Sequence, residues 1–313
     1  MPSVSLEGTN CYNIAMKKHI GSILFLVIAG LIWWASISST VRNPYADNNN
    51  PVVVVSGYVP YTLTQQLAGN TVNLIMLLPP GAEPHSFEPT PGVLVSLKHA
   101  NAFIYTSNEL EPWVKDLLPA VGKKTHTLEL MAALPNLQDP HGWMNLQHAK
   151  TLAAEIEKIL VQINPGQQLL YVENLKKFNE EIDALEQEFK QSLTACQSRE
   201  VVHIGHLAFQ NLTNEYGLTL TALSGSSHDG EHSAKKLAQL IEQIKEKKLP
   251  AIFTEETLSS RLAATVAQET GTQVLPLYPI EHISKKDFNA NVTYNELMRR
   301  NLESLVRGLQ CQA

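Results

Sequence analysis

The chain has few cysteines and few charged residues. Charged side chains make up 17% of its 313 residues, the formal net charge is −6, and the basic residues form no cluster. An acidic chain without a basic patch argues against nucleic-acid binding, and a hydrophobic fraction of 44% argues against disorder. Three cysteines are too few for a cysteine-based zinc site or a disulfide scaffold. Cys196 and Cys311 either form one disulfide or remain as two thiols, because the sequence gives no distance between them.

One stretch near the start is apolar enough to be a targeting segment. Residues 16–19 (MKKH) carry positive charge, residues 20–35 are almost uninterruptedly apolar, and small residues follow. This order is typical of an export signal, so we predict a periplasmic or otherwise extracytoplasmic protein. An uncleaved membrane anchor with two tryptophans at the interface is the alternative. The sequence leaves cleavage open, and it leaves the start open between Met1 and Met16.

The length of 313 residues exceeds a single ordinary core and suits two domains. After a polar linker, short strand-like runs alternate with helical stretches, which is typical of βαβ units and a parallel sheet. The runs cover residues 52–56, 73–78, 102–106 and 125–130, and then 200–204, 218–223, 251–254 and 273–277.

A long helical pattern separates these two sets of runs. Between residues 166 and 194, apolar residues recur every three or four positions, which predicts one amphipathic helix of nearly eight turns. We therefore predict an α/β fold with two four-stranded parallel-sheet lobes joined by one long linking helix. The predicted parts are an export segment with linker (1–46), an N-terminal lobe (51–165), the linking helix (166–195) and a C-terminal lobe (196–313).

Three histidines lie downstream of strand-like runs. His85 lies in the stiff, proline-rich segment 77–91 (LLPPGAEPHSFEPTP), His141 lies in DPHGW, and His206 lies in HIGHLAF. In open α/β sheets, ligands bind beyond the carboxyl ends of the strands, and imidazole is the commonest metal-ligating side chain. Three converging imidazoles suit zinc, with a fourth position for a carboxylate or water. Since the first half supplies two histidines and the second half one, the predicted site lies in the cleft between them.

Residues beside these histidines have smaller predicted roles. We expect His203 to be a packed, hydrogen-bonded residue and not a ligand, and Trp143 to pack beneath the second histidine. Glu83 and Glu88 either orient an imidazole or are solvated. Glu255 is interpreted as part of a loop cap.

The motifs together resemble the zinc and manganese solute-binding proteins of ABC transporters, the ZnuA/TroA-like group. The motifs are LLPPGAEPHSFEPT at 77–90, NELEPW at 108–113, DPHGW at 139–143, HLAF at 206–209 and IFTE at 252–255. The resemblance covers about residues 51–309 and implies two α/β lobes with a buried metal ligated by His85, His141 and His206. It also implies an extracytoplasmic carrier that delivers its metal to an ABC permease and its ATPase.

The resemblance further implies an acidic fourth ligand in the loop after the last strand, at residues 275–282 (LPLYPIEH). Tyr278 stands where the aspartate of the family aligns. We predict Glu281 as the fourth ligand, with Tyr278, His282 or a water molecule as alternatives. Manganese prefers oxygen and imidazole suits zinc, so the three histidines predict zinc as the cargo, with manganese as the alternative. The resemblance implies the same, because manganese members tend to have a carboxylate where His206 stands.

An exported zinc hydrolase is the competing function, because a catalytic zinc also has three protein ligands and an open fourth position. The sequence contains no His-Glu-x-x-His motif, which favours a carrier without enzymatic activity. We expect a monomer that binds no nucleic acid. The segment 228–232 (HDGEH) is either a solvated turn or a second, weaker zinc-collecting site.

Overall fold

The computed structural model describes residues 49–225, 234–255 and 261–312. The predicted export segment and the segment 228–232 lie outside these residues. The strands are β1 (Val52–Val55), β2 (Asn73–Met76), β3 (Ala102–Tyr105), β4 (His126–Glu129), β5 (Glu200–His203), β6 (Thr219–Ala222), β7 (Ala251–Glu255) and β8 (Gln273–Leu277).

Helices alternate with the strands, as the sequence predicts. They are α1 (Tyr58–Ala68), α2 (Gly92–His99), α3 (Val114–Leu117), α4 (Leu146–Ile163), α5 (Gln168–Ser192), α6 (Gln210–Glu215), α7 (Ala234–Glu246), α8 (Arg261–Thr270), α9 (Lys285–Asn289) and α10 (Tyr294–Gly308). In these described ranges, no helix combines the length with the apolar character that crossing a lipid bilayer requires.

The strands form two sheets of four with the same strand order. The first sheet runs β2-β1-β3-β4 and the second β6-β5-β7-β8, and neighbouring strands are parallel. The predicted pair of four-stranded parallel sheets is thus confirmed. β1 (VVVV) and β3 (AFIY) are entirely buried, because a parallel sheet covered by helices on both faces needs continuous apolar strands. In each sheet the winding direction reverses beside the first strand, which opens a crevice at the carboxyl ends.

The predicted linking helix is α5, a single helix of 25 residues. It packs against α1 and α4 of the first lobe and against α10, which follows the second sheet. Its buried stripe begins at Tyr171, whose hydroxyl lies 2.8 Å from that of Thr71. Leu169 and Val172, two apolar residues of the periodic pattern predicted between residues 166 and 194, are exposed. We propose that the lobe boundaries lie at the two ends of this helix, as predicted.

Helix α4 has no counterpart among the elements named from the sequence. Its 18 residues bury one face, and Asn145 caps its start by accepting hydrogen bonds from the amides of Gln147 and His148 at 2.9 and 3.2 Å. This cap immediately follows the 3-10 turn Gly142–Met144, so α4 anchors the segment that carries His141.

Cys196 and Cys311 form a disulfide between positions 115 residues apart. The same residues pair as an isolated antiparallel bridge, which ties the segment after α10 to the segment before β5. Of the two alternatives left by the sequence, the structure therefore has the disulfide.

Candidate metal centre

The four predicted ligands lie together between the two sheets. The Nε2 atoms of His85 and His141 lie 3.3 and 3.4 Å from Oε2 of Glu281, and Nε2 of His206 lies 3.1 Å from Oε1. All four ligand atoms are within 4.8 Å of one another. His141 and His206 are fully buried, Glu281 is 5% exposed, and the His85 side chain is 8% exposed.

These separations suit a small tetrahedral cation. Bonds of about 2.0–2.1 Å at tetrahedral angles place the ligand atoms of zinc about 3.3 Å apart. A direct charge-assisted hydrogen bond between imidazolium and carboxylate would be shorter, about 2.7–2.9 Å. The observed range of 3.1–3.4 Å therefore fits donors arranged around a metal better than donors bonded to each other.

Each imidazole is fixed through its Nδ1 atom. The partner of each Nδ1 is a carbonyl or carboxylate oxygen, which can only accept a hydrogen bond. In the neutral ring Nδ1 therefore carries the proton, and Nε2 presents its lone pair to the site. The acceptors are the carbonyl of Leu110 for His85 (3.0 Å), Oδ1 of Asp139 for His141 (2.7 Å) and Oε1 of Glu255 for His206 (2.8 Å).

The loop that carries His85 is held at several points. Gly81 has a φ of +84°, which favours glycine, and its N–H donates to the carbonyl of Ile283 at 2.8 Å. Trp113 donates from Nε1 to the carbonyl that precedes His85, at 2.7 Å. Glu83 accepts a hydrogen bond from the backbone N–H of His85 at 3.2 Å. This hydrogen bond holds the backbone at His85 and does not contact the imidazole ring.

The loop that carries Glu281 is strained. Ile280, a buried β-branched residue, has a φ of +66°, a conformation that costs about 1–3 kcal/mol. The next residue, Glu281, meets the three histidines. Tyr278 contacts α10 instead: its N–H donates to Oδ1 of Asn301 at 2.7 Å, and Arg300 lies 5.6 Å from its ring centroid.

Hydrogen bonds between the lobes close the cleft around the site. Trp143 donates from Nε1 to the carbonyl of Pro279 at 2.7 Å, and Asn211 donates from Nδ2 to the carbonyl of His141 at 2.9 Å. The Trp143 ring lies edge-on to His141 with a centroid distance of 5.4 Å, which confirms the predicted packing. These contacts hold the ligand-bearing loops of the two lobes against each other.

The charges of the carboxylates and imidazoles in the site depend on one another. Burial would raise the pKa of Glu281, but the charge of His206 and the closeness of the three imidazoles hold it well below its usual range. Burial would lower the pKa of His206, yet the charge of Glu281 and the hydrogen bond to Glu255 raise it to about 10. Burial also opposes charge on His141, whose pKa is raised by Asp139 and Glu281. The buried carboxylates thus favour positive charge in the site, and a metal must displace protons to bind.

One known family matches most of the chain. The family described as "Zinc-uptake complex component A periplasmic", ZnuA, matches residues 53–308. The chain belongs to the ZnuA family. The resemblance predicted from the sequence motifs is therefore confirmed.

Relatives of this ZnuA-family chain are named for zinc. "Zinc-binding lipoprotein AdcA" of Streptococcus pneumoniae serotype 4 is 31% identical over 274 residues, covering 81% of this chain and 54% of that protein. The chain thus spans about half the length of AdcA. "High-affinity zinc uptake system protein ZnuA" of Bacillus subtilis is 27% identical over 312 residues, covering 92% of this chain and 97% of that protein.

A solved structure has the same fold. The Zn(II)-bound ZnuA-like domain of S. pneumoniae AdcA matches with a TM-score of 0.73 and 31% identity, covering 83% of this chain and 99% of that domain. The two-lobe α/β architecture predicted from the sequence is thereby confirmed.

Two of the histidines are oriented by carboxylates that are absent from the predicted site. The interpretation of Glu255 as part of a loop cap is wrong: Glu255 accepts a hydrogen bond from His206, because β5 and β7 are parallel neighbours whose carboxyl ends meet. Asp139 was detectable: an aspartate commonly accepts from the backbone N–H two residues on, as it does from His141 at 3.1 Å. His203 is confirmed as a packed residue, since it is fully buried and its Nδ1 lies 3.1 Å from the carbonyl of His206.

Proposed function

We propose that this ZnuA-family chain is an extracytoplasmic carrier that captures one zinc ion and delivers it to an ABC-type importer. The proposed ligands are His85, His141, His206 and Glu281. The observation that carries the proposal is the convergence of three oriented Nε2 atoms on one carboxylate, at separations of 3.1–3.4 Å. The zinc-binding and zinc-uptake names of the relatives support the same cargo.

The donor set favours zinc over manganese. Three of the four proposed donors are imidazole nitrogens, and manganese prefers oxygen. Glu281 supplies a carboxylate with two oxygens, so manganese is the alternative cargo that an experiment must include.

Burial favours a carrier over a zinc hydrolase. A catalytic zinc keeps a position open to substrate. Here His141 and His206 are fully buried, and the bond from Trp143 to Pro279 crosses the cleft beside them. We propose that the chain is not an enzyme, that it acts as a monomer, and that a permease driven by an ATPase receives its ion.

Calorimetric titration of the metal-stripped protein with zinc, and separately with manganese, tests the proposal. We expect one tightly bound zinc per chain and weaker manganese. His206→Ala should weaken zinc binding by more than the roughly 10–100-fold typical of losing a residue that only orients a ligand. His126→Ala, which changes an exposed histidine of β4, is the matched control and should bind zinc as the wild type does. Unchanged affinity in His206→Ala would overturn the site, and tighter manganese would change the cargo.

A further inference from the structure

A second group of potential ligands adjoins the three-histidine site. Glu255 at the end of β7, Glu281 and His282 each bring a ligand atom within 4.8 Å of the others. All three residues are buried, with exposures of 1%, 5% and 8%. Oε2 of Glu255 lies 3.6 Å from Nε2 of His282.

The two oxygens of Glu255 face different histidines. Oε1 accepts from Nδ1 of His206 at 2.8 Å, whereas Oε2 faces His282. Glu255 therefore orients a ligand of the three-histidine site with one oxygen while its other oxygen lies in the second group. His282 is not among the four residues that converge in the first site.

We propose that Glu255, Glu281 and His282 form a second, weaker divalent-cation position that shares Glu281 with the three-histidine site. The proposal rests on the zinc-carrier function proposed above and extends it. Because Glu281 belongs to both positions, an ion moving between them keeps one protein ligand throughout the exchange.

The donors of this position set its expected chemistry. One imidazole nitrogen and two carboxylate groups suit zinc, and they accept manganese better than the nitrogen-rich first site does. The affinity should be lower than that of the first site, because three protein donors replace four. The separation of 3.6 Å between Glu255 and His282 is also wider than the roughly 3.3 Å of a tetrahedral zinc.

The test removes the first site and leaves the second group in place. The full-length double variant His85→Ala/His141→Ala loses two proposed ligands and keeps Glu255, Glu281 and His282. We would titrate it with cobalt(II), read by its visible absorption, and with zinc in competition. We expect one residual equivalent, bound about tenfold or more weakly than the first equivalent of the wild type, and its loss when His282→Gln is added. Residual binding that persists with His282→Gln, or no residual binding at all, would overturn the proposal.

Two controls separate this result from other causes. His282→Gln alone should leave the zinc affinity of the first equivalent within about threefold of the wild type. Loss of that equivalent would make His282 a ligand of the first site and contradict the proposal.

His228→Gln/His232→Gln, added to the double variant, should leave the residual equivalent unchanged. Its loss there would assign the binding to the segment 228–232 and also contradict the proposal. A wild type without any tight zinc equivalent would instead contradict the carrier function.

Discussion

Oε1 of Glu255 lies 2.8 Å from Nδ1 of His206, and both side chains are fully buried. The contact joins the carboxyl end of β7 to the segment that follows β5, across 49 positions of the chain. Because the carboxylate accepts a hydrogen bond from Nδ1–H, the imidazole ring is held with its Nε2 atom towards Glu281. Glu255 is therefore a positioning residue for the only histidine that the second lobe contributes to the proposed ligand set.

Replacing Glu255 should weaken zinc binding without removing a ligand of the first site. We expect Glu255→Ala to reduce zinc affinity roughly 10–100-fold, because His206 loses the partner that fixes its tautomer and ring orientation. Glu255→Gln keeps an acceptor oxygen and should lie between this variant and the wild type. Competition with a zinc chelator measures the change. The control is Glu88→Ala, an exposed carboxylate on the His85 loop, and equal affinities of Glu255→Ala and this control would contradict the assigned role.

The space beside this contact is too small for one additional carbon. A Cβ added at Gly205 would lie 2.6 Å from Oε1 of Glu255 and 2.5 Å from Cε1 of His203, so these side chains would have to move. We expect Gly205→Ala to displace Glu255 and to weaken zinc binding about as much as Glu255→Ala does, again roughly 10–100-fold. Gly225→Ala is the matched control, since a Cβ there meets no atom of the described residues within 4 Å. A Gly205→Ala protein with the zinc affinity of the control would show that the packing around Glu255 does not affect zinc binding.

Much of this site could be predicted from the chain because its signals are local. The apolar run of β1 and the proline-rich segment before His85 each reveal their structure within a few residues. The parallel sheets then place the ends of their strands at one edge, which brings His85, His141 and His206 together. The prediction of three histidines between two lobes depends on these signals alone.

The remaining parts depend on contacts and backbone shape that no local pattern encodes. Glu255 meets His206 only because their strands are neighbours in the second sheet. The choice among Tyr278, Glu281 and His282 depends on the left-handed backbone at Ile280, which is unusual for a β-branched residue. Sequence alone therefore leaves the geometry of the fourth donor open.

The hydrogen bond between Trp143 and Pro279 should matter for retention of the metal. Trp143→Phe keeps an aromatic ring beside His141 but leaves the buried Pro279 carbonyl without this donor, at a cost of about 1–3 kcal/mol. Since the bond joins the two lobes, we expect faster zinc release into excess chelator, measured by stopped flow.

A suitable control for this variant is Tyr171→Phe. It removes a buried hydroxyl that bonds with Thr71 and Asn164, away from the ligands. The control should lower the free energy of unfolding to a similar extent and leave the rate of zinc release unchanged. If both variants released zinc at the wild-type rate, the bond from Trp143 would not contribute to cleft closure.

A buried carboxyl group should make the stability of the metal-stripped protein depend on pH. Burial raises the pKa of Glu111 from 4.5 to about 7, although the amide and hydroxyl of Thr106 donate to it at 2.8 and 3.1 Å. At pH values between 4.5 and about 7, the Glu111 carboxyl binds more protons in the folded state than in the unfolded state. Its contribution to the free energy of unfolding therefore falls as pH rises, by about 3 kcal/mol in total.

Glu111→Gln isolates this effect because glutamine does not ionise. Urea unfolding of the metal-stripped wild type and variant at pH 5 and pH 8 should show the wild type losing about 2–3 kcal/mol relative to the variant between the two pH values, which is most of the total. Parallel pH profiles for the two proteins would mean that Glu111 has an ordinary pKa in the folded state.

X-ray absorption at the zinc edge, recorded on the protein loaded with one equivalent of zinc, tests the central claim most directly. We predict four nitrogen or oxygen ligands at about 2.0–2.1 Å, with multiple scattering from three imidazoles that falls to two in His206→Ala. A six-coordinate oxygen shell, or a count of imidazoles that His206→Ala leaves unchanged, would contradict a zinc site built from His85, His141, His206 and Glu281.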